Sequence, residues 1–287
     1  MIRRFAIATA TGATLMVSLT ACLGGNGTSA KGNDTGGGNS AVLTAATVIQ
    51  QASQKSSKID TMAIDMTIKS DSSASPMSMH ATTKYRIRPT VALKMSVDSM
   101  AVKGQQVAGG MEAILLGHTM YMKMPALSQM AGGKPWFKLD LQAIGKASGL
   151  DLDSMLNQVQ QNGPAEQTKM LTASKNVHKV GTETVNGVQT THYTGTVATS
   201  EGLAKLDPSA REKLQESLQK LGATTETYDI WVNSDSLPVK IISAMKTNDG
   251  TITTTAVYSD YGKPVSISAP PANLVRAMPN MPGIGGA

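Results

Sequence analysis

Cysteine occurs once in the 287 residues, at position 22. That excludes an intrachain disulfide and a cysteine-based zinc site. Aromatic residues make up only 3% of the chain and charged residues 16%, against about 25% charged in an average soluble domain. So little charge excludes a highly charged disordered chain, and the composition fits neither a coiled coil nor a collagen. The one long apolar run lies at the N-terminus, which excludes a multi-span membrane protein. An excess of one sign is also lacking. There are 26 basic and 20 acidic residues, a net +6, and without Arg3 and Arg4 the balance is 24 to 20, or +4. That is too mild and too scattered for a nucleic-acid footprint, although it favours weak attraction to anionic surfaces. What is present is a hydrophobic fraction of 40%, enough to bury a core, and 18 methionines.

The N-terminus carries the most specific signal. Arg3 and Arg4 form a positive segment, and Phe5 to Leu19 is an apolar stretch of 15 residues, suited to a signal peptide and short for a bilayer span. Leu19-Thr20-Ala21-Cys22 follows. It resembles the bacterial lipobox, in which a branched residue and two small ones fit a narrow peptidase cleft before the Cys. The Cys22 thiolate would attack a diacylglycerol donor to form a thioether, and cleavage before it would leave a new amine open to acylation. Residues 1–21 are thus expected to be a lipoprotein signal peptide, exported by the general secretory route; the residues around Arg3-Arg4 fit a twin-arginine signal poorly. Two or three acyl chains, each buried methylene contributing roughly 0.8 kcal/mol, would hold the chain on the outer face of the cell membrane. Residues 22–40 then form the lipidated Cys and a tether. Seven of the 18 residues from 23 to 40 are Gly, which suits a flexible linker with no core of its own.

The domain proper is expected over residues 41–268. Val42, Ala45, Ala46, Ile49 and Ala52 recur at helical spacing behind Ser40 as a cap. The period then becomes two. Met62, Ile64, Met66 and Ile68 alternate with Ala63, Asp65, Thr67 and Lys69; Met77 to Ile87, Val91 to Val97 and Met120 to Met124 repeat the pattern, and Trp136 to Leu141 reads as another strand. Asp71-Ser72-Ser73, Arg88-Pro89, Lys103-Gly104, Gly117-His118 and Gly132-Gly133-Lys134-Pro135 are the turns between them. Leu152, Met155, Leu156 and Val159 predict an inserted helix ended by Gly163-Pro164. Val177 to Thr199 reads as a hairpin turning at Asn186-Gly187. Asp207 as cap, Pro208 at the first helical position and Gly222 after the end frame another helix, and strands follow at Thr224–Val232, Pro238–Met245 and Thr251–Tyr258. Residues 269–287, with four Pro and three Gly, read as a disordered tail. The fold class is α+β: a strongly curved, unclosed antiparallel sheet of about ten strands packed on helices.

Three stretches, together with the lipobox and the tether, give the sequence a family resemblance. They are Gly117-His118-Thr119-Met120-Tyr121-Met122 with Trp136-Phe137-Lys138-Leu139, then Val180-Gly181-Thr182-Glu183-Thr184-Val185-Asn186-Gly187-Val188-Gln189-Thr190-Thr191-His192-Tyr193, and Tyr228-Asp229-Ile230-Trp231-Val232-Asn233-Ser234-Asp235-Ser236-Leu237-Pro238-Val239-Lys240. In this order they resemble the LppX/LprAFG lipoproteins of actinobacteria, over about residues 41–265. The resemblance implies a half-barrel like that of the LolA and LolB lipoprotein carriers, wrapped on helices around an apolar cavity for acyl chains of lipids or glycolipids. It implies no catalytic residue and no cofactor, so an enzyme is not expected.

Ten of the 18 methionines lie between Met62 and Met124. Met is unbranched and polarizable and repacks around irregular apolar surfaces. Met62, Met66, Met120, Met122 and Met124 are therefore the candidate cavity lining; the plainer alternative is that they fill a core poor in Phe and Leu. Other chemistry is sparse. His80, His118, His178 and His192 match no ligand spacing, and the Asp pairs 151/153 and 229/235 have no base partner. Met77-x-Met79-His80 and Met120-x-Met122-x-Met124 are also compatible with a thioether Cu(I) site, although core packing places them on one face anyway. Three classes follow: a lipid-binding or lipid-transfer lipoprotein, an interaction module contacting a transporter or sensor domain without cargo, and a copper-binding lipoprotein. The first is the reading carried forward, as a monomer whose partners are lipid cargo and, through Cys22, the membrane.

Overall fold

The computed structural model describes residues 44–73, 75–108, 110–123, 133–148, 172–204 and 208–277. The signal and tether segments, Ser40 and Val42, the predicted helix around Leu152–Val159, Met124 and Asp207 lie outside the described residues.

Helix α1 runs Ala45–Ser56. Its cap is Thr44, whose Oγ1 accepts from Thr47 N at 3.3 Å. Ile49, Ala52, Ser53 and Ser56 form its buried stripe, at the spacing of one helical face. Three hairpin-linked strands follow, β1 Thr61–Ser70, β2 Met77–Arg86 and β3 Ala92–Val102. Next come β4 Gln105–Ala108, β5 Met111–Leu116, β6 Thr119–Lys123 and β7 Trp136–Asp140. Asp140 then caps helix α2, Leu141–Ser148, its Oδ1 accepting from Gln142 N and Ala143 N. Strands β8 His178–Val185 and β9 Val188–Ala198 form the hairpin turning at Asn186-Gly187. Both turn residues have positive φ, 50° and 79°, as a type I′ turn requires. Helices α3 Thr199–Leu203 and α4 Pro208–Leu221 come next. Gly222 closes α4 at φ 66°, with no room for a Cβ, which would meet Asn248 Oδ1 at 2.0 Å. Strands β10 Thr225–Asn233, β11 Pro238–Thr247, β12 Gly250–Ser259 and β13 Val275–Ala277 complete the chain.

The strands form one 13-stranded sheet in the order β13-β7-β6-β5-β3-β2-β1-β12-β11-β10-β9-β8, with β4 beside β3. It is curved and unclosed, with β13 and β8 at its edges. The α+β half-barrel expectation holds. The sheet is larger than about ten strands, however, and it is mixed, because β13 runs parallel to β7. The sequence reading ended the domain at residue 268, whereas the sheet also takes in Val275–Ala277, inside the segment read as tail. Pro and Gly composition obscured three residues whose pairing is with a distant strand.

Two apolar clusters sit on opposite faces. The larger joins Ile49 and Ala52 of α1 to Met62, Tyr193, Val197, Tyr228, Ile230, Val232, Ile241, Ala256 and Tyr258. We call this side of the sheet its inner face. The smaller joins Ala92, Ile114 and Trp136 to Ile267, with Leu116, Tyr121, Val265 and Val275 packed against it. Here residues 265–275 cross the outer face as a strap. The even alternation of apolar and polar faces expected from the sequence therefore breaks in β5 to β7, which carry apolar side chains on both faces and in β7 bury one on each, Trp136 and Phe137.

Candidate functional site

Residues directly opposite on neighbouring antiparallel strands project to the same side of a sheet, so the register sorts the methionines. One row runs Leu139, Met120, Leu115, Leu93, Tyr85, Met62. The next runs Phe137, Met122, Ala113, Met95, Thr83, Ile64, Tyr258. A third runs Met111, Val97, Ala81, Met66, Ala256, Ile241, Ile230, Tyr193. Beyond it Met100 faces Met79, and Met79 faces Ile68. Met77 belongs to the next row, opposite Ser70. Met62, Tyr258, Ile241, Ile230 and Tyr193 share one apolar cluster with Ile49 and Ala52 of α1, so all of these rows lie on the inner face. Four of the five candidate lining residues, Met62, Met66, Met120 and Met122, are thereby brought onto one wall. Met124 lies outside the described residues, as do Cys22, Leu19, Thr20 and Ala21.

The wall has two zones. Five of the six tyrosines, at 85, 193, 228, 258 and 261, belong to the cluster around α1. Burial pushes all five phenols above their ordinary pKa. The scarce aromatics thus build the packed core under the helix, and Met62, at 6% exposure, is part of it. Met66, Met77, Met79, Met95, Met100, Met111, Met120 and Met122 are only half-buried. They form an adaptable thioether surface alongside the core rather than its centre. Met120 faces Leu115 and Leu139, and Met122 faces Ala113 and Phe137. Their strand neighbours are hydrocarbon, an apolar wall rather than a set of converging sulfur ligands.

Histidine chemistry on the outer face is structural. His80 bridges two carboxylates, Nε2 lying 3.1 Å from Asp65 and Nδ1 3.1 Å from Asp98. His192 lies with Nε2 2.8 Å from Asp229 Oδ1 and Nδ1 3.3 Å from Glu183 Oε1. Spacing along the chain matches these histidines to no ligand set, and their carboxylate partners come from register, which spacing does not reveal. Among the described residues no group of three or more His, Cys, Asp or Glu side chains is arranged to hold a metal ion. A separate recess of about 350 Å³ opens between α3 and α4, lined by Thr199, Leu203, Arg211, Gln215, Leu218 and Ala223 among others. Arg211 Nε donates to Leu203 O at 3.0 Å there. Sequence reasoning did not anticipate it, because it depends on how two helices meet.

No family model matches the chain. An uncharacterized 31.2 kDa protein of Streptomyces griseus is 35% identical over 183 residues, covering 62% of this chain and 60% of that protein. A Streptomyces coelicolor protein provisionally named a lipoprotein is 32% identical over 166 residues, covering 56% of this chain and 49% of that one. The chain therefore spans about half to three-fifths of the length of these relatives. Among solved structures, LprF from Mycobacterium bovis superposes with a TM-score of 0.50 at 16% identity, covering 79% of this chain and 96% of LprF. The lipoprotein LppX of Mycobacterium tuberculosis aligns over 78% of this chain and 98% of its own, with a TM-score of 0.45 and 15% identity. The fold is that of LprF.

Proposed function

We propose that the chain is an extracytoplasmic lipoprotein, anchored to the outer face of the cell membrane through Cys22, that holds the acyl chains of lipids or glycolipids against the Met-rich zone of its inner face. The observation that carries this reading is the register. It gathers eight half-buried methionines beside, not inside, the aromatic core under α1. Flexible apolar side chains on a curved, unclosed wall can follow chains of differing length without a fixed complementary shape. The LprF fold, and relatives that include a protein provisionally named a lipoprotein, support the same reading.

The test is direct. The full chain, purified from a membrane fraction in mild detergent, is extracted with organic solvent and the extract analysed by mass spectrometry. Stoichiometric co-purifying lipid, beyond that covalently bound at Cys22, is the expected result. An extract holding only detergent and background phospholipid would sink the reading. In parallel, Cys22→Ser is expected to leave the protein soluble or uncleaved on its signal peptide. Normal processing with unchanged detergent partitioning would rule out the anchor.

A further inference from the structure

Along β1–β3, β5–β7 and β9–β12 the inner positions hold one charged side chain, Glu226 on β10. Val197 stands opposite it on β9 and Met245 opposite it on β11. The hydroxyl of Tyr228 donates to its Oε2, and Ser243, opposite Tyr228 on β11, stands on the same face. Burial pushes the carboxyl above its ordinary range, and the two hydroxyls pull it part of the way back. No Lys or Arg occupies an inner position of those strands to neutralise it. A carboxylate in an apolar wall is costly to retain, and it presents about four lone-pair sites. The Tyr228 bond leaves acceptor capacity for a further donor. A second anion in the same low-dielectric surroundings would instead be repelled much more strongly than in water.

Resting on the lipid-binding reading above, we propose that Glu226 sets the polar-end specificity of the inner face: it accepts a hydrogen bond from an uncharged, hydroxyl-bearing lipid head and disfavours anionic phospholipids. Tyr228 and Ser243 act as positioning residues that hold the carboxylate in place.

Two lipids with the same acyl chains separate the possibilities. The full chain, immobilised in detergent, is equilibrated with radiolabelled dioleoylglycerol or dioleoylphosphatidylglycerol, and retention is compared for wild type, Glu226→Gln and Glu226→Asp. The wild type is expected to retain the neutral lipid about ten-fold better. Glu226→Gln keeps an oxygen acceptor without the charge, so it is expected to close most of that gap by retaining more dioleoylphosphatidylglycerol and somewhat less dioleoylglycerol than wild type. Glu226→Asp keeps the charge and is expected to preserve the discrimination. A ratio unchanged in Glu226→Gln, with both lipids still bound, overturns the role of Glu226 and leaves the lipid reading standing. Retention of neither lipid by the wild type overturns both.

Discussion

His192 of β9 stacks on Trp231 of β10, ring centroids 4.2 Å apart and planes within 10°. The two residues are cross-strand partners in the register. They also belong to two of the stretches that carry the family resemblance, within Thr-Thr-His-Tyr and Trp-Val-Asn. Lys240, the partner of Trp231 on the other side, places Nζ 4.4 Å from the indole centroid. The indole Nε1 donates to Glu183 at 2.6 Å. Two segments far apart in sequence thus form one outer-face cluster with Val185 and Val239. Asn233 completes the stretch by accepting from Asp235 N and Leu237 N, which closes the turn into β11.

The first prediction follows from that cluster. Trp231 is 6% exposed, so Trp231→Ala is expected to cost about 3–5 kcal/mol of stability. His192→Ala, which loses a stacked face, is expected to cost only about 1 kcal/mol. Bound lipid per folded molecule should stay unchanged in both, because the cluster lies on the outer face. Chemical denaturation and lipid extraction on the same samples check it. A variant that folds normally yet loses lipid would show that this cluster takes part in binding.

The second concerns the Met wall. If Met122 lines a cargo space, Met122→Trp fills that space and lowers bound lipid at little cost in stability. In a packed core, added volume typically costs about 1–3 kcal/mol. Met122 is half-buried between Ala113 and Phe137, so the expected result is a clear loss of lipid with a Tm lowered by less than ~2–4 °C, the shift of about 1 kcal/mol in a domain this size. Thermal unfolding and extraction of the same preparation decide it. A large loss of stability, or wild-type lipid in a stable variant, would assign Met122 to the core.

The third is a pH dependence. The folded-state pKa of Glu226 is raised, chiefly by burial, so the folded protein holds that proton more tightly than the unfolded chain. Its contribution to stability is fully present below the ordinary carboxylate pKa and is lost as pH rises through the raised value. Glu226→Gln should therefore raise Tm at pH 8 relative to wild type and have a smaller effect at pH 4. Calorimetry across that range tests it; a difference that grows toward acid would reverse the sign and refute the burial account.

The fourth concerns the strap. Ile267 is 7% exposed against Ala92, Ile114 and Trp136. Ile267→Asp buries an unpaired charge in an apolar cluster, and a loss of roughly 3 kcal/mol or more is expected. Hydrogen exchange should quicken first in β5 to β7, the strands beneath the strap, and last near α1. Uniform quickening would mean that the strap stabilises the domain only globally.

Local signals were enough for much of the architecture. Period-two alternation located β1, β2 and β3 because one face of each is the more buried, and β6 because its methionines recur at every second position. Asn186-Gly187, Pro208 and Gly222 marked their turn and helix boundaries because few residues accept those backbone geometries. The order of the motif stretches was enough to suggest the half-barrel. What remained hidden was non-local. Whether Met62, Met66, Met120 and Met122 share a face depends on strand register across five strands, not on spacing within one. Glu226 reads in sequence as an ordinary half-exposed acid of Thr-Glu-Thr-Tyr, and only pairing with Val197 and Met245 puts it on the apolar wall. Trp136 and Val275 are separated by more than a hundred residues of chain, and neither carries a local cue to a parallel pair. Side-chain periodicity is set by the backbone of each strand, so the sequence alone determined the elements. Which elements become neighbours is set by the burial they can complete together, and that was decided only by the tertiary structure.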